Sequence, residues 1–462
     1  MKLFYACFFF PVLTLLFLSC VLGGNVYKDI DNAVYGNDFE RGIAEIINGQ
    51  RKNKKIYPEK NAILLFLDKG LLEHYAGNYR NSSLDLENAE RLIQEGFTKS
   101  ITAGIASYIA NDNTKEYPGE DYEDIYLNVF NALNYYHGNN LEDAMVEIRK
   151  ITMSSGKLDL LSRKYEEGRD FAAQHLLESL HNIGFMTNLE LPVGEPVVFS
   201  DSALARYLSA LFYQGQGNED EARIEFNRLN AAFTGNPRIY YHPFPKSAED
   251  DQNIPPGKAR LNVIAFVGLS PIKEEKVYNQ FFPFFVNPAL RYTQFKLPVL
   301  EKRPSSIDRI QVNISGLQGF DLDLLEDMGA VSRETYNARF ANIFLKTYIR
   351  TIIKYATADL GATAAASQFD KTKEKEKTTW EFLSLVTSIA GKLTADASEA
   401  ADIRMGRYFP DKAYIGGINL EPGKYDAAIT FYNQGRVIAT SDFTDLNVRA
   451  NALNLIEAAR LK

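Results

Sequence analysis

ALFYQGQGNEDEARIEFNRL, residues 210–229, is the stretch from which the architecture can be read. Ala210 and Tyr213 precede Gly215-Gln216-Gly217-Asn218, and Ala222, Phe226 and Leu229 follow at spacings of four and three. That periodicity predicts two amphipathic helices. The Gly-Asn pair predicts a short turn between them. A small residue at 222 lets the second helix approach the first. The form recurs upstream. Asn37-Asp38-Phe39 is followed by Gly42 and Ile46, and Gly77-Asn78-Tyr79 by Ser82, Leu86 and Ala89. Gly138-Asn139-Asn140, with one extra residue, is followed by Ala144, Ile148 and Ile151. Between these turns the apolar residues keep helical spacing, as in Ile125, Val129, Ala132, Leu133 and Tyr136.

These hairpins resemble tetratricopeptide repeats, the second adding Phe66 and Gly70 on its first helix. The small positions Gly42, Ser82, Ala144 and Ala222 lie 40, 62 and 78 residues apart, not at that family's constant 34. The resemblance therefore implies a degenerate or interrupted array. Unrelated helical hairpins with convergent turns are the alternative. The expected class is α followed by α+β: a TPR-like, α-solenoid-like helical domain over residues 27–233, then a β-containing domain with a long helical insertion.

Residues 234–258 carry Gly235, Pro237, Pro243, Pro245, Pro255, Pro256 and Gly257 and read as a connector. The α+β domain is expected over 259–462. Arg260–Val267, Tyr292–Leu300 and Ile310–Ile314 read as strands. Glu334 to about Lys354 reads as a long helix, the charged KTKEKEK run near 371–377 as a solvated loop, and Trp380–Thr394 as another helix. The helical insertion thus covers about 334–400. Strand patterns return at Tyr414–Leu420, Tyr425–Tyr432 and Val437–Ser441. Asn447–Ala459 fits strand or helix.

The N-terminus has the layout of a secretory signal: Lys2, an apolar run from Leu3 to Leu18, and Ser19 before Cys20. Phe17-Leu18-Ser19-Cys20 resembles the lipobox of bacterial lipoproteins, with Phe17 where Leu is usual. The resemblance implies that residues 1–19 are removed, that Cys20 is lipidated, and that 20–26 form a tether. An uncleaved membrane anchor over Leu3–Leu22 and an ordinary cleaved signal are the alternatives; all three place the body outside the cytoplasm. Val21 after the cysteine is not the Asp that marks inner-membrane retention, which favours the outer membrane.

The full chain carries a formal net charge of −8, and loss of Lys2 makes the mature balance −9. Such acidity argues against nucleic-acid binding, which needs a basic face. Residues 21–462 contain no cysteine, so no disulfide framework or Cys-based metal site is expected. His74, His137, His175, His181 and His242 form no metal-binding spacing, and His137 reads as a cap or surface residue near a helix end. No nucleophile elbow or phosphate loop is present. The adjacent acids Glu120-Asp121, Glu123-Asp124 and Glu249-Asp250-Asp251 read as solvated charge, and Asp402/Arg404 as a structural ion pair. No cofactor is expected. Within Tyr278–Tyr292, Phe281, Phe282, Phe284 and Phe285 surround Pro283. They read as a partner-binding surface or as core between the halves.

Asp402-x-Arg404, Phe409-Pro410 and Pro422-Gly423-Lys424-Tyr425 together resemble a poorly characterised family of bacterial lipoproteins with TPR-like N-terminal halves. Phe409 stands where that family has Leu, and the aromatic expected near the Arg is absent. The resemblance implies an envelope factor associated with peptidoglycan synthases and their activators. The expected function is a membrane-anchored, non-enzymatic interaction scaffold with envelope protein partners. A cell-wall or polysaccharide-active enzyme and a glycan- or peptide-binding lipoprotein are the alternatives.

Overall fold

The computed structural model describes residues 26–51, 56–100, 112–153, 156–160, 199, 201–281, 292–303, 305–363 and 400–462. The signal, Cys20, the KTKEKEK run and the helix expected at 380–394 lie outside the described residues.

The N-terminal half is helical and the C-terminal half carries two sheets, antiparallel but for one parallel strand pair. Among the described residues, four helical hairpins are formed by α1 (Lys28–Tyr35) with α2 (Phe39–Arg51), α3 (Ala62–Tyr75) with α4 (Tyr79–Ser100), α5 (Asp121–His137) with α6 (Leu141–Thr152), and α7 (Ala203–Gly215) with α8 (Glu219–Gly235). From α1 to α8, each described helix packs on the next in chain order.

All four turns have one geometry. Asn37, Gly77, Asn139 and Gly217 adopt positive φ of 58°, 79°, 59° and 75°. In each, that residue's N–H bonds the carbonyl three back, and the next N–H bonds the carbonyl five back. This pattern closes a helix whose last carbonyls would otherwise be unpaired. The next carbonyl, at Asp38, Asn78, Asn140 or Asn218, accepts from Gly42, Ser82, Ala144 or Ala222. Those small positions therefore sit on the first turn of each second helix, against its partner. A Cβ on Gly42 would lie 3.7 Å from Val34 Cγ2 of α1 and 3.0 Å from Leu72 Cδ1 of α3, and Ser82 Oγ donates to Gly70 O at 2.7 Å.

No heavy atom lies within 4 Å of a Cβ built at Gly77 or Gly217. Substitution there isolates the backbone cost. Gly217→Ala is expected to destabilise by about 1–2 kcal/mol, whereas Gly217→Asn, the residue used at the other two turns, should cost clearly less. Urea unfolding of the two variants checks this, and equal losses would refute it.

The first helices α3, α5 and α7 are buried nearly all round; residues 203–212 of α7 are buried without a break. They lie between the second helices and a five-stranded sheet. That sheet contains β1 (Ala259–Phe281), β2 (Tyr292–Arg303), β5 (Asp323–Asp327), β6 (Pro410–Leu420) and β9 (Asn454–Arg460), in the order β2-β1-β6-β5. β9 runs parallel to β1 over 261–267, on the edge that β2 continues from 269 onward. The second sheet has the order β4-β3-β7-β8, from β3 (Arg309–Ile314), β4 (Phe320–Asp321), β7 (Gly423–Asn433) and β8 (Arg436–Val448).

Alternation along β1 explains the layering. Ile264 and Phe266 join the core shared with the helices; Leu261, Val263, Ala265 and Val267 join the core between the sheets. The strand expected at Arg260–Val267 runs on to Phe281 through a bulge between Leu269 and Ile272, where Pro271 is tolerated. The stretch left open between strand and helix ends as β9. The helix expected from Glu334 begins at Met328 and runs to Thr363 as α10, packed on β1, β2, β6 and α5. The 234–258 stretch carries a short helix, α9 (Lys246–Asp250), which packs against β6.

Candidate functional site

Among the described residues, an extended array of ionisable side chains lies in the seam between the helices and the five-stranded sheet. The segment 402–409, just before β6, crosses the inner face of the first three hairpins. Arg404 spends all five of its guanidinium donors there. Nε and one terminal nitrogen grip Asp402 at 2.8 Å each. The remaining donors reach Asn61 Oδ1 at 3.2 Å and the carbonyls of Lys115 and Asp112 at 2.8 and 2.6 Å. The guanidinium carbon lies 5.4 Å from the centre of the Tyr117 ring.

Gly406 N–H donates to the buried Glu123 carboxylate at 2.5 Å. Arg407 N–H donates to Asp68 at 2.7 Å, and its guanidinium donates to Asp31 at 2.7 Å while lying 4.2 Å over Tyr27. Tyr408 hydroxyl donates to Asp31 at 3.0 Å. Phe409 is fully buried among Tyr122, Tyr126 and Phe130. The segment thus fills the inner face of its own helices as a bound peptide would.

Three further carboxylates continue the seam. Asp251 accepts from Arg260 at 2.6 Å, Tyr207 at 2.8 Å and Asn262 at 2.9 Å. Glu326, on β5, accepts from Ser202 Oγ and Leu204 N–H at the start of α7, both at 2.8 Å, and from Tyr240 at 2.9 Å. Glu457, on β9, sits between His74 at 2.7 Å and His137 at 3.1 Å.

Burial governs the electrostatics. It pushes Asp68 up to about 6 against the hydrogen bonds from Tyr57 and Arg407. It pushes Glu326 up to about 7, again against its donors. Glu123 rises to about 8 through burial and the neighbouring charge of Glu120. Glu120 itself bonds Lys273 and, at 2.9 Å, Arg339 of α10. Perturbed carboxylates are the mark of reactive sites and of structural networks alike. Geometry separates the two here. Glu123 has no exposed surface, and it accepts from Tyr117 hydroxyl, Glu120 N–H and Gly406 N–H. Each of these carboxylates accepts hydrogen bonds from donors of its own chain, an arrangement that ties helices to sheet. Among the described residues, no three or more His, Cys, Asp and Glu side chains are grouped to hold a metal ion, and no helix is long and apolar enough to cross a membrane.

Comparison with family models, curated proteins and solved structures finds no match for this chain.

Of the residues singled out from sequence, Cys20, Phe282, Phe284 and Phe285 lie outside the described residues, as do His175 and His181. Phe281 is the last residue of β1. Two readings are corrected. Glu123 and Asp251 are not solvated charge; both are fully buried, because Gly406 and Arg260 reach them from distant parts of the chain. His137 ends α5, but its ring bonds Glu457 and stacks on Tyr79 at 4.7 Å instead of facing solvent. One local signal did point to the seam. Asn128, Asn131 and Asn134 recur every three residues on α5, and all three are buried. A buried amide needs partners; Asn134 finds one at the seam in His74, whereas Asn128 turns to Glu90 and Glu147 of the second helices.

Proposed function

We propose that this chain is a membrane-anchored envelope lipoprotein, lipidated at Cys20, that acts as a non-catalytic interaction scaffold for cell-wall assembly machinery. Its helical half is read as a degenerate TPR-like array. What supports that finer reading is the repetition of one turn geometry, with a small residue at the same position, in four hairpins. The observation that carries the scaffold reading is the occupied inner face. Arrays of this kind bind partners on a concave surface, and here the sheet and the 402–409 segment fill that surface. The outward faces of α2, α4, α6 and α8 and the outer sheet remain to meet partners, on a body held in one shape by its polar seam. The tether is short. α1 starts at Lys28, so the seven residues after Cys20 reach about 25 Å at full extension, and partners at the same membrane are favoured.

The test is a pull-down from gently solubilised membranes with the native protein as bait and Cys20→Ala as control. Recurrent recovery of cell-wall synthases or another envelope complex, weakened in the control, is the expected result. Absence of any stable partner, with the control exported and behaving identically, would overturn the reading.

A further inference from the structure

His74 and Glu457 are 383 residues apart, and the bonds around them fix which atoms carry protons. Ser82 Oγ donates to Gly70 O, so it accepts from Asn134 Nδ2, at 2.8 Å. Asn134 therefore turns its carbonyl oxygen to His74 Nδ1, at 2.7 Å. An oxygen there requires a proton on Nδ1. The other ring nitrogen faces a carboxylate, Glu457, at 2.7 Å, and that contact is best met by a proton on Nε2. The network thus calls for an imidazolium with no exposed side-chain surface. Its ring lies among Tyr75, Tyr79 and Phe130. Glu457 also receives His137, whose side chain is 15% exposed. Next to these, Tyr136 hydroxyl accepts from Leu455 N–H at 2.9 Å. Helices α3 and α5 therefore hold β9 through a buried charge pair, a further histidine and the Tyr136 hydroxyl on the backbone at Leu453 and Leu455.

We propose that His74, His137 and Glu457 form a proton-operated latch that locks the last strand to the helical layer and loosens as pH rises. The titratable groups facing the pair are His137 and Tyr136 from α5, Tyr75 from α3, Tyr79 from α4 and Glu457 from β9, with Arg449 facing Tyr136. Burial opposes the charge on His74, but the Glu457 carboxylate and the two hydrogen bonds outweigh it and hold the ring above its ordinary value. The sign follows. The latch is complete below about pH 6.5, the unfolded value, and is lost as pH rises through the higher folded value. Deprotonation removes a donor and leaves Glu457 or the Asn134 oxygen buried without its partner, which is costly.

The experiment is hydrogen exchange of the 454–460 amides from pH 6 to 9, corrected for intrinsic exchange and compared with β7 in the same protein. Protection of 454–460 is expected to fall at least tenfold more than that of β7. The ring signals of His74 should titrate above 6.5. In Glu457→Gln the pH dependence specific to 454–460 should disappear. Parallel loss of protection in both strands, a His74 ring titrating at or below 6.5, or the same local loss retained in His74→Gln would overturn the proposal. The first two are read on the unmodified protein, so a variant that fails to fold leaves the proposal open to refutation.

Discussion

Arg404→Ala is expected to lower the unfolding free energy by about 3–5 kcal/mol, the cost of removing one partner from a buried ion pair. The loss goes beyond one salt bridge. Asp402 keeps its charge without its fork, and Asn61 Oδ1 and the carbonyls of Asp112 and Lys115 lose their donor together. Those carbonyls belong to the stretch leading into α5, so the inner face of the second and third hairpins should loosen with them. Arg404→Lys tests whether charge or geometry matters. An ammonium cannot place five donors in one plane, and it should recover less than half of the loss. Urea unfolding of both variants decides the matter. A loss under 1 kcal/mol for Arg404→Ala would show that the 402–409 segment is not a principal tie between the halves.

The second large effect is on pH. Asp68 at about 6, Glu326 at about 7 and Glu123 at about 8 all sit above their unfolded values because of burial. For a carboxyl displaced upward, the folded state holds the proton more tightly. Stability is then unaffected below about pH 4 and falls as pH rises toward the folded value. Glu90 is displaced the other way: burial is outweighed by Lys157 and Lys150, which hold it at about 2. Arg404 likewise outweighs burial and lowers Asp402. Their contribution is present above about pH 4 and is lost as pH falls. The two sets place the optimum near pH 4. With about 1.4 kcal/mol for each unit of separation, the loss between pH 5 and 8 is on the order of several kcal/mol. The urea midpoint should fall steadily over that range, and a midpoint higher at pH 8 than at pH 5 would contradict the assignment. Glu326→Gln keeps an acceptor for Ser202 and Leu204, so it should be near neutral at pH 5 and stabilising at pH 8.

The parts of this architecture that were legible are those set by near neighbours. A Gly-Asn pair between helical periods specifies its own turn, so the four hairpins could be placed from residues a few positions apart. The strand at 260–267 announced itself by composition. What was not legible depends on partners far along the chain. Nothing near Glu123 distinguishes it from the exposed acid of an ordinary helix start; its burial comes from Gly406 and from Lys273 neutralising Glu120. Asp251 looked like the end of an acidic loop until Arg260, on the central strand, turned toward the helices. The strand expected to end at Val267 instead passes a bulge between Leu269 and Ile272 and continues. His74 carried no local signal of its role, although Asn134, one step along the buried stripe of α5, was a visible clue.

The order in which the chain emerges during synthesis conflicts with the order in which its bonds can form. Hairpins one to three are complete long before residue 404 exists, yet Asp31 finds its Arg407 and Tyr408 partners, and Asp68, His74 and Glu123 complete their bonding, only with residues 406–457. Until then those acids stay in water and the apolar inner face of the helices stays uncovered. Contacts of such long separation close slowly, and a nascent chain in that condition is prone to aggregate. The helical half is thus made first and finished last, and the seven residues of β9 are the closing piece.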